Sequence, residues 1–159
     1  MSQPRLIDGL PFARGAETLA GTLDPSRLMR LAEMRCAAQG LSYVLRGRTD
    51  FQGRCWLQIT ANGTFTLECQ RCLEPFTIPL AIRTELLLAE SEQEIEAADD
   101  EFDRVLAGKE MDVGLLVEDE LILAMPMAPR HAQCGAGRMG VEADRPSPFA
   151  ELVKLKRIQ

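Results

Sequence analysis

From Leu41 to about Leu88 the apolar residues fall on alternate positions, and a period of two points to strands rather than helix. Ser42-Tyr43-Val44-Leu45-Arg46, Cys55-Trp56-Leu57-Gln58-Ile59-Thr60 and Thr64-Phe65-Thr66-Leu67-Glu68 read as three strands, rich in β-branched and aromatic residues. Asn62-Gly63 stands between the last two. Both residues tolerate positive φ, which predicts a two-residue hairpin turn there. A fourth, longer strand is expected from about Phe76 to Leu88. Pro79 cannot donate to a ladder, so it points to an edge position or a bulge. Four strands in succession make an antiparallel meander.

Helices are expected on either side of these strands. Asp24-Pro25 is an N-cap followed by a favoured first helical residue, Leu28, Leu31 and Ala32 keep helical spacing, and Gly40 is a plausible stop. Arg35 interrupts the apolar stripe and is expected to snorkel out of the core edge. Asp112 can cap a second helix, Val113 to Met125, stopped by Pro126. Val113, Leu116, Val117, Leu121 and Ala124 share one face. Glu120 falls inside that stripe, while Glu118 and Asp119 lie outside it. A buried Glu120 would need a partner, for which an arginine of the sheet is the expectation. Residues 126–147 hold Pro126, Pro129, Gly135, Gly137 and Gly140 and read as loop. Ser147-Pro148 opens a short last helix anchored by Phe149, Leu152 and Val153, with Lys154, Lys156 and Arg157 at its C-terminal end. The expected class is α+β, a small antiparallel meander packed with a few helices. With 159 residues, one domain over 1–159 is the default, long enough to bury a core without disulfide staples.

Net charge is −6, which argues against a simple nucleic-acid binder, but the acids are unevenly placed. Residues 85–103 hold nine acids and no Lys or Arg, and the rest of the chain carries 15 acids against 18 Lys and Arg. The acidic run at about 90–103 reads as a solvated loop or frayed helix, with a docking role as the sharper alternative. The mildly basic remainder leaves room for RNA contact. The start of the chain lacks a signal-peptide pattern, and the longest apolar run, Leu121 to Met125, is too short to span a bilayer. A cytoplasmic protein without a membrane role is expected. Five cysteines, an odd number, fit thiols or metal ligands in a reducing compartment.

Cys69-Gln70-Arg71-Cys72 is the sharpest local feature, and it falls at a turn between two expected strands. Two thiols at this spacing can point at one metal ion. His131, the only histidine, precedes Cys134 by three residues, so a second pair has ligand-like spacing. Together the four residues would make a Cys3His zinc shell. The plainer alternative is two half-buried thiols closing a hairpin, with His131 an ordinary loop residue. A redox dithiol is the third reading, although it wants the CxxC at a helix N-terminus, where the dipole lowers a thiol pKa. No GxSxG, P-loop, HExxH or dinucleotide fingerprint is present, and nothing points to a small-molecule substrate.

Three blocks carry a family resemblance. Cys69-Gln70-Arg71-Cys72-Leu73-Glu74-Pro75-Phe76 resembles the CQRCLEPF signature of YceD proteins. Val117-Glu118-Asp119-Glu120-Leu121-Ile122-Leu123-Ala124-Met125-Pro126 resembles their second block, of the form VEDEIILALP. Pro148-Phe149-Ala150, with Leu152, Leu155 and Lys156, resembles the closing NPFAxLxxLK element, with Ser147 in place of Asn. The resemblance implies a non-enzymatic factor in synthesis, processing or stability of large-subunit ribosomal RNA, touching that RNA, its precursor or a ribosomal protein. Candidate contacts are Arg71, Glu118, Asp119, Lys154, Lys156 and Arg157, with Arg46, Arg48 and Arg54 as further cations on the sheet. Rival readings are a thiol oxidoreductase using Cys69 and Cys72, and a binding module whose acidic segment takes basic ribosomal proteins.

Overall fold

A computed structural model describes residues 5–134 of the chain. Its framework is a five-stranded sheet of β2 (Thr18–Thr22), β3 (Ala37–Thr49), β4 (Cys55–Glu68), β5 (Pro75–Ala89) and β6 (Arg104–Leu106), in that spatial order. All neighbours are antiparallel except β5 and β6, which run parallel over Leu87–Ala89. β1 (Leu6–Ile7) and β7 (Met111–Asp112) form a separate two-stranded antiparallel sheet whose Ile7 and Met111 join the same core. Four helices complete the described residues: α1 (Gly9–Arg14), α2 (Met29–Glu33), α3 (Glu92–Glu96) and α4 (Val113–Ala124). This is the α+β class expected from the sequence.

Alternation sorts the central strands into two faces. Leu41, Tyr43 and Leu45 on β3, Leu57, Ile59, Ala61 and Phe65 on β4, and Ile82 and Leu86 on β5 are buried on one side. They share a core with Phe12 and Ala13 of α1, Leu28 and Leu31 around α2, and Val113, Val117 and Leu121 of α4. Gly47 lets α1 rest directly on β3, because a Cβ there would overlap the backbone of Phe12 and Ala13. The other face, with Ser42, Arg46, Thr60, Asn62, Thr64 and Arg83, is half-buried to exposed.

Asn62-Gly63 does not turn. It lies in the middle of β4, paired with β5 at Ala81 and Leu80, and Asn62 Oδ1 accepts the Ser42 hydroxyl across the strands at 3.0 Å. A strand laddered on both sides satisfies its amides without bending, and that overrides the local turn preference. Gly63 is small for packing: Leu41 occupies the space a Cβ would take. The strand reversals are at Asp50–Arg54 and Cys69–Glu74. Pro79 does sit on an exposed edge, since β6 covers only the last residues of β5.

The helix expected from Asp24 to Gly40 is far shorter. Asp24 caps a 3-10 turn, Pro25–Arg27, by accepting the Ser26 amide at 3.0 Å, and α2 follows. Arg35 stops α2 with φ +54, as Arg35 N–H bonds to Ala32 O and Cys36 N–H to Leu31 O. That is the two-bond helix terminus normally given to glycine, and β3 begins two residues later. Gly40 lies at a bulge inside β3, with φ +61. The acidic segment forms α3, capped by Ser91, and irregular chain before β6.

α4 begins and ends where expected, with Asp112 Oδ1 accepting the Gly114 amide at 2.7 Å, but it is rotated. Its buried line is Val113, Val117, Leu121 and Met125 with Glu118 beside it, and Glu118 is only 1% exposed. Glu120, expected to be the buried acid, is half-buried, and Ala124 is exposed. Glu118 Oε1 accepts the Leu31 amide at 3.0 Å rather than an arginine. The last helix expected from Ser147 lies outside the described residues, as do Lys154, Lys156 and Arg157. Among the described residues no helix is long and apolar enough to cross a membrane.

Candidate metal centre

The Cys69–Glu74 turn closes the β4–β5 hairpin. Cys69 N–H bonds to Glu74 O at 3.0 Å and Leu73 N–H to Cys69 O at 2.9 Å, with Leu73 taking the left-handed conformation at φ +61. A second segment arrives from the end of α4. Gln70 N–H donates to Pro129 O at 2.8 Å, and His131 N–H points at Cys69 Sγ, 3.4 Å away. Phe76, the second residue of β5, packs its ring against the His131 imidazole with centroids 4.7 Å apart.

These contacts bring Cys69, Cys72, His131 and Cys134 together, with one ligand atom from each within 4.8 Å of all the others. Cys69 Sγ is 3.5 Å from Cys134 Sγ, and Cys72 Sγ is 3.3 Å from His131 Nδ1. Around a tetrahedral zinc with bonds of about 2.0–2.3 Å the ligand atoms stand roughly 3.4–3.8 Å apart. The cluster therefore has the donor set and the dimensions to hold a metal ion. Its four positions would all be filled by protein, leaving no open site for water or substrate.

The thiols are not equivalent. Burial opposes ionisation of Cys69, but N–H groups of Cys72, His131 and Arg71 and the His131 side chain outweigh it, bringing the thiol down to about 5. Burial, with the sulfurs of Cys69 and Cys72 alongside, pushes Cys134 up to about 11. Three thiolates at such separations repel one another, and a bound cation is what would let them coexist. A lowered thiol is also what a redox dithiol needs. Cys69, however, is 0% exposed and follows a strand rather than opening a helix, so a substrate cannot reach its sulfur.

Of the other residues singled out in the sequence, Arg71 is exposed on the turn between the two cysteines. Arg46 is exposed on the open face of the sheet. Arg48 is bonded to Glu85 at 2.8 Å and Arg54 to Asp50 at 2.7 Å. Asp119 pairs with Arg30 of α2. Glu118, expected as a surface contact, is buried against α2 and has no free edge to offer a partner. The Pro129 carbonyl, which helps seat the second pair of candidate ligands, carries no sequence signal of its own.

Fold and site together define a small α+β domain in which one soft-donor cluster clamps the chain beyond α4 onto a β-hairpin. The family profile described as large ribosomal RNA subunit accumulation protein YceD matches residues 57–156, and the chain belongs to this family. No solved structure gives a significant match.

Proposed function

We propose that this chain is a non-enzymatic cytoplasmic factor supporting accumulation of large-subunit ribosomal RNA, and that a structural zinc ion on Cys69, Cys72, His131 and Cys134 fixes its working shape. The observation carrying the reading is the convergence of two distant ligand pairs on one point, in a chain of this family. Zinc suits three sulfurs and one imidazole nitrogen, and a closed tetrahedral shell supplies cross-linking rather than a reactive water. The ion would hold residues 129–134 on the β4–β5 turn and keep Arg71 presented at its tip. The open sheet face carries hydroxyl and amide groups from Ser42, Thr60, Asn62 and Thr64, with Arg83 paired opposite Thr60 and Arg46 opposite Gln58. Such a surface can bond phosphates and 2′-hydroxyls with little sequence preference.

The test is binding to a large-subunit RNA fragment over a range of salt. Affinity should fall as salt rises, because each phosphate contact releases counterions. Arg71→Gln or Arg46→Gln should each reduce the logarithmic salt slope by about 1 without changing the melting temperature. Undetectable binding at low salt would reject RNA contact by this chain, and unchanged slopes in both variants would reject this surface.

A further inference from the structure

We infer that the end of the sheet at the β3–β4 turn is a docking cleft for a Lys/Arg-rich segment of a protein partner. The inference stands on different residues from the RNA reading and does not depend on it.

The turn is built around one carboxylate. Asp50 Oδ1 accepts the amides of Gln52 and Arg54, both at 2.9 Å, and Oδ2 accepts Arg54 Nε at 2.7 Å and the Trp56 indole N–H at 3.0 Å. Burial works against that charge, yet these donors hold the Asp50 carboxyl well below the usual carboxylate range. A turn fixed in this way holds Phe51 out in water, 94% exposed. Phe102, on the irregular chain before β6, meets the Trp56 ring edge-on at 5.1 Å and is itself 44% exposed. Phe51 and Phe102 are two of the residues lining a cleft of about 420 Å³, within the size range of ligand pockets. Single exposed apolar residues are ordinary, but two aromatic rings bordering one concavity mark a recognition site.

Charge selects the occupant. The two cations of the cleft are already engaged. Arg48 bonds to Glu85 and stacks on Trp56 at 4.8 Å, while Arg54 bonds to Asp50 and lies over the Trp56 and Phe102 rings at 5.4 and 5.3 Å. Glu101 and Asp103 remain as carboxylates on its wall, within the stretch 85–103 that holds nine acids and no Lys or Arg. The solvated Phe51 ring, with no cation of the cleft over it, beside these carboxylates favours a guanidinium or ammonium group, through cation–π attraction and charge-assisted hydrogen bonds. The same field repels phosphate, so RNA is not the occupant.

Trp56 is the only tryptophan of the chain, and its emission therefore reports directly on the cleft. The full-length protein is titrated with a synthetic Lys/Arg-rich peptide, with a Lys/Arg→Gln version of that peptide as competitor, and separately with a single-stranded RNA oligomer in the absence of peptide. The basic peptide should change Trp56 emission saturably, the Gln version should not displace it, and the RNA alone should leave Trp56 emission unchanged. Phe51→Ala, at a fully solvated side chain, should weaken binding several-fold, and Glu101→Gln with Asp103→Asn about tenfold. Glu92→Gln with Glu96→Gln removes the same charge on α3 and should change affinity less than twofold. Equal loss in the α3 and cleft variants would overturn the inference, since it would reduce binding to diffuse charge. Binding without a change in Trp56 emission, or a saturable change in that emission on adding the RNA alone, would overturn it as well.

Discussion

Cys72→Ser should strip zinc from the purified protein and lower its melting temperature by roughly 10 °C or more. Structural zinc sites contribute on the order of 10 kcal/mol of binding free energy that is also folding free energy. Losing even about 3 kcal/mol of it shifts a domain of this size by about 10 °C. The cost should be global, because the cluster joins chain segments on either side of β5, the acidic segment and α4. A strong chelator should bring the wild type down to the same temperature and leave Cys72→Ser where it is. Cys36→Ser is the control: Cys36 is buried and outside the cluster, so its variant should keep the metal. Acid should act in the same direction as the chelator, since three thiols must lose protons to bind the ion and protons compete for them. A Cys72→Ser protein with unchanged metal content and unchanged melting would remove the zinc from the account.

Glu118→Ala should cost about 3 kcal/mol, measured by denaturant unfolding, from the buried hydrogen bond lost and the cavity left behind. Leu31 is in the first turn of α2, whose own N-cap residue, Leu28, makes no side-chain capping bond. Glu118 supplies the missing acceptor from α4, so removing it leaves a buried amide unpaired. Glu118→Gln keeps an acceptor oxygen in place and should recover most of the loss. Glu120 should behave in the opposite way. Burial raises its pKa first, with Asp103 and Asp119 adding to the rise and a hydrogen bond from Thr84 opposing it. An acid raised on folding destabilises the fold while it is ionised, and that cost disappears as pH falls through the raised value. Glu120→Gln should therefore raise the melting temperature at neutral pH, and the gain should shrink on acidification. A large loss at Glu120 and none at Glu118 would mean that α4 packs in the other phase.

That phase marks where the sequence stops being legible. The start and end of α4 are written locally, in Asp112 and Pro126. Its rotation is not, because Leu115, Leu116, Ile122 and Leu123 spread apolar surface around the helix, and Leu123 ends 78% exposed. The phase belongs to the tertiary packing, in which Val113, Val117 and Leu121 enter the shared core and Glu118 meets an α2 amide from another part of the chain. The short edge strand β2, Thr18–Thr22, has no fully buried residue and so no alternating apolar signal to find. β6 is three residues long and held by a parallel pairing that no local pattern announces. Asn62-Gly63 misled because turn preferences are weak beside strands paired on both sides. The four candidate metal ligands were legible as two pairs. Their meeting depends on α4 delivering the chain back to the β4–β5 end of the sheet, which spacing alone does not encode. The cleft at Phe51 and Phe102 was invisible for the same reason, since those residues are brought together only by the fold.

If this chain is a metal-stapled factor for large-subunit ribosomal RNA, one ratio in cells depends on its cysteines. Large- to small-subunit ribosomal RNA is measured in cells lacking this protein and supplied with either the wild type or Cys72→Ser at matched protein level. The ratio should be depressed without the protein, restored by the wild type and not restored by Cys72→Ser. A ratio indifferent to the protein's removal, or one restored equally by both forms, would contradict that role.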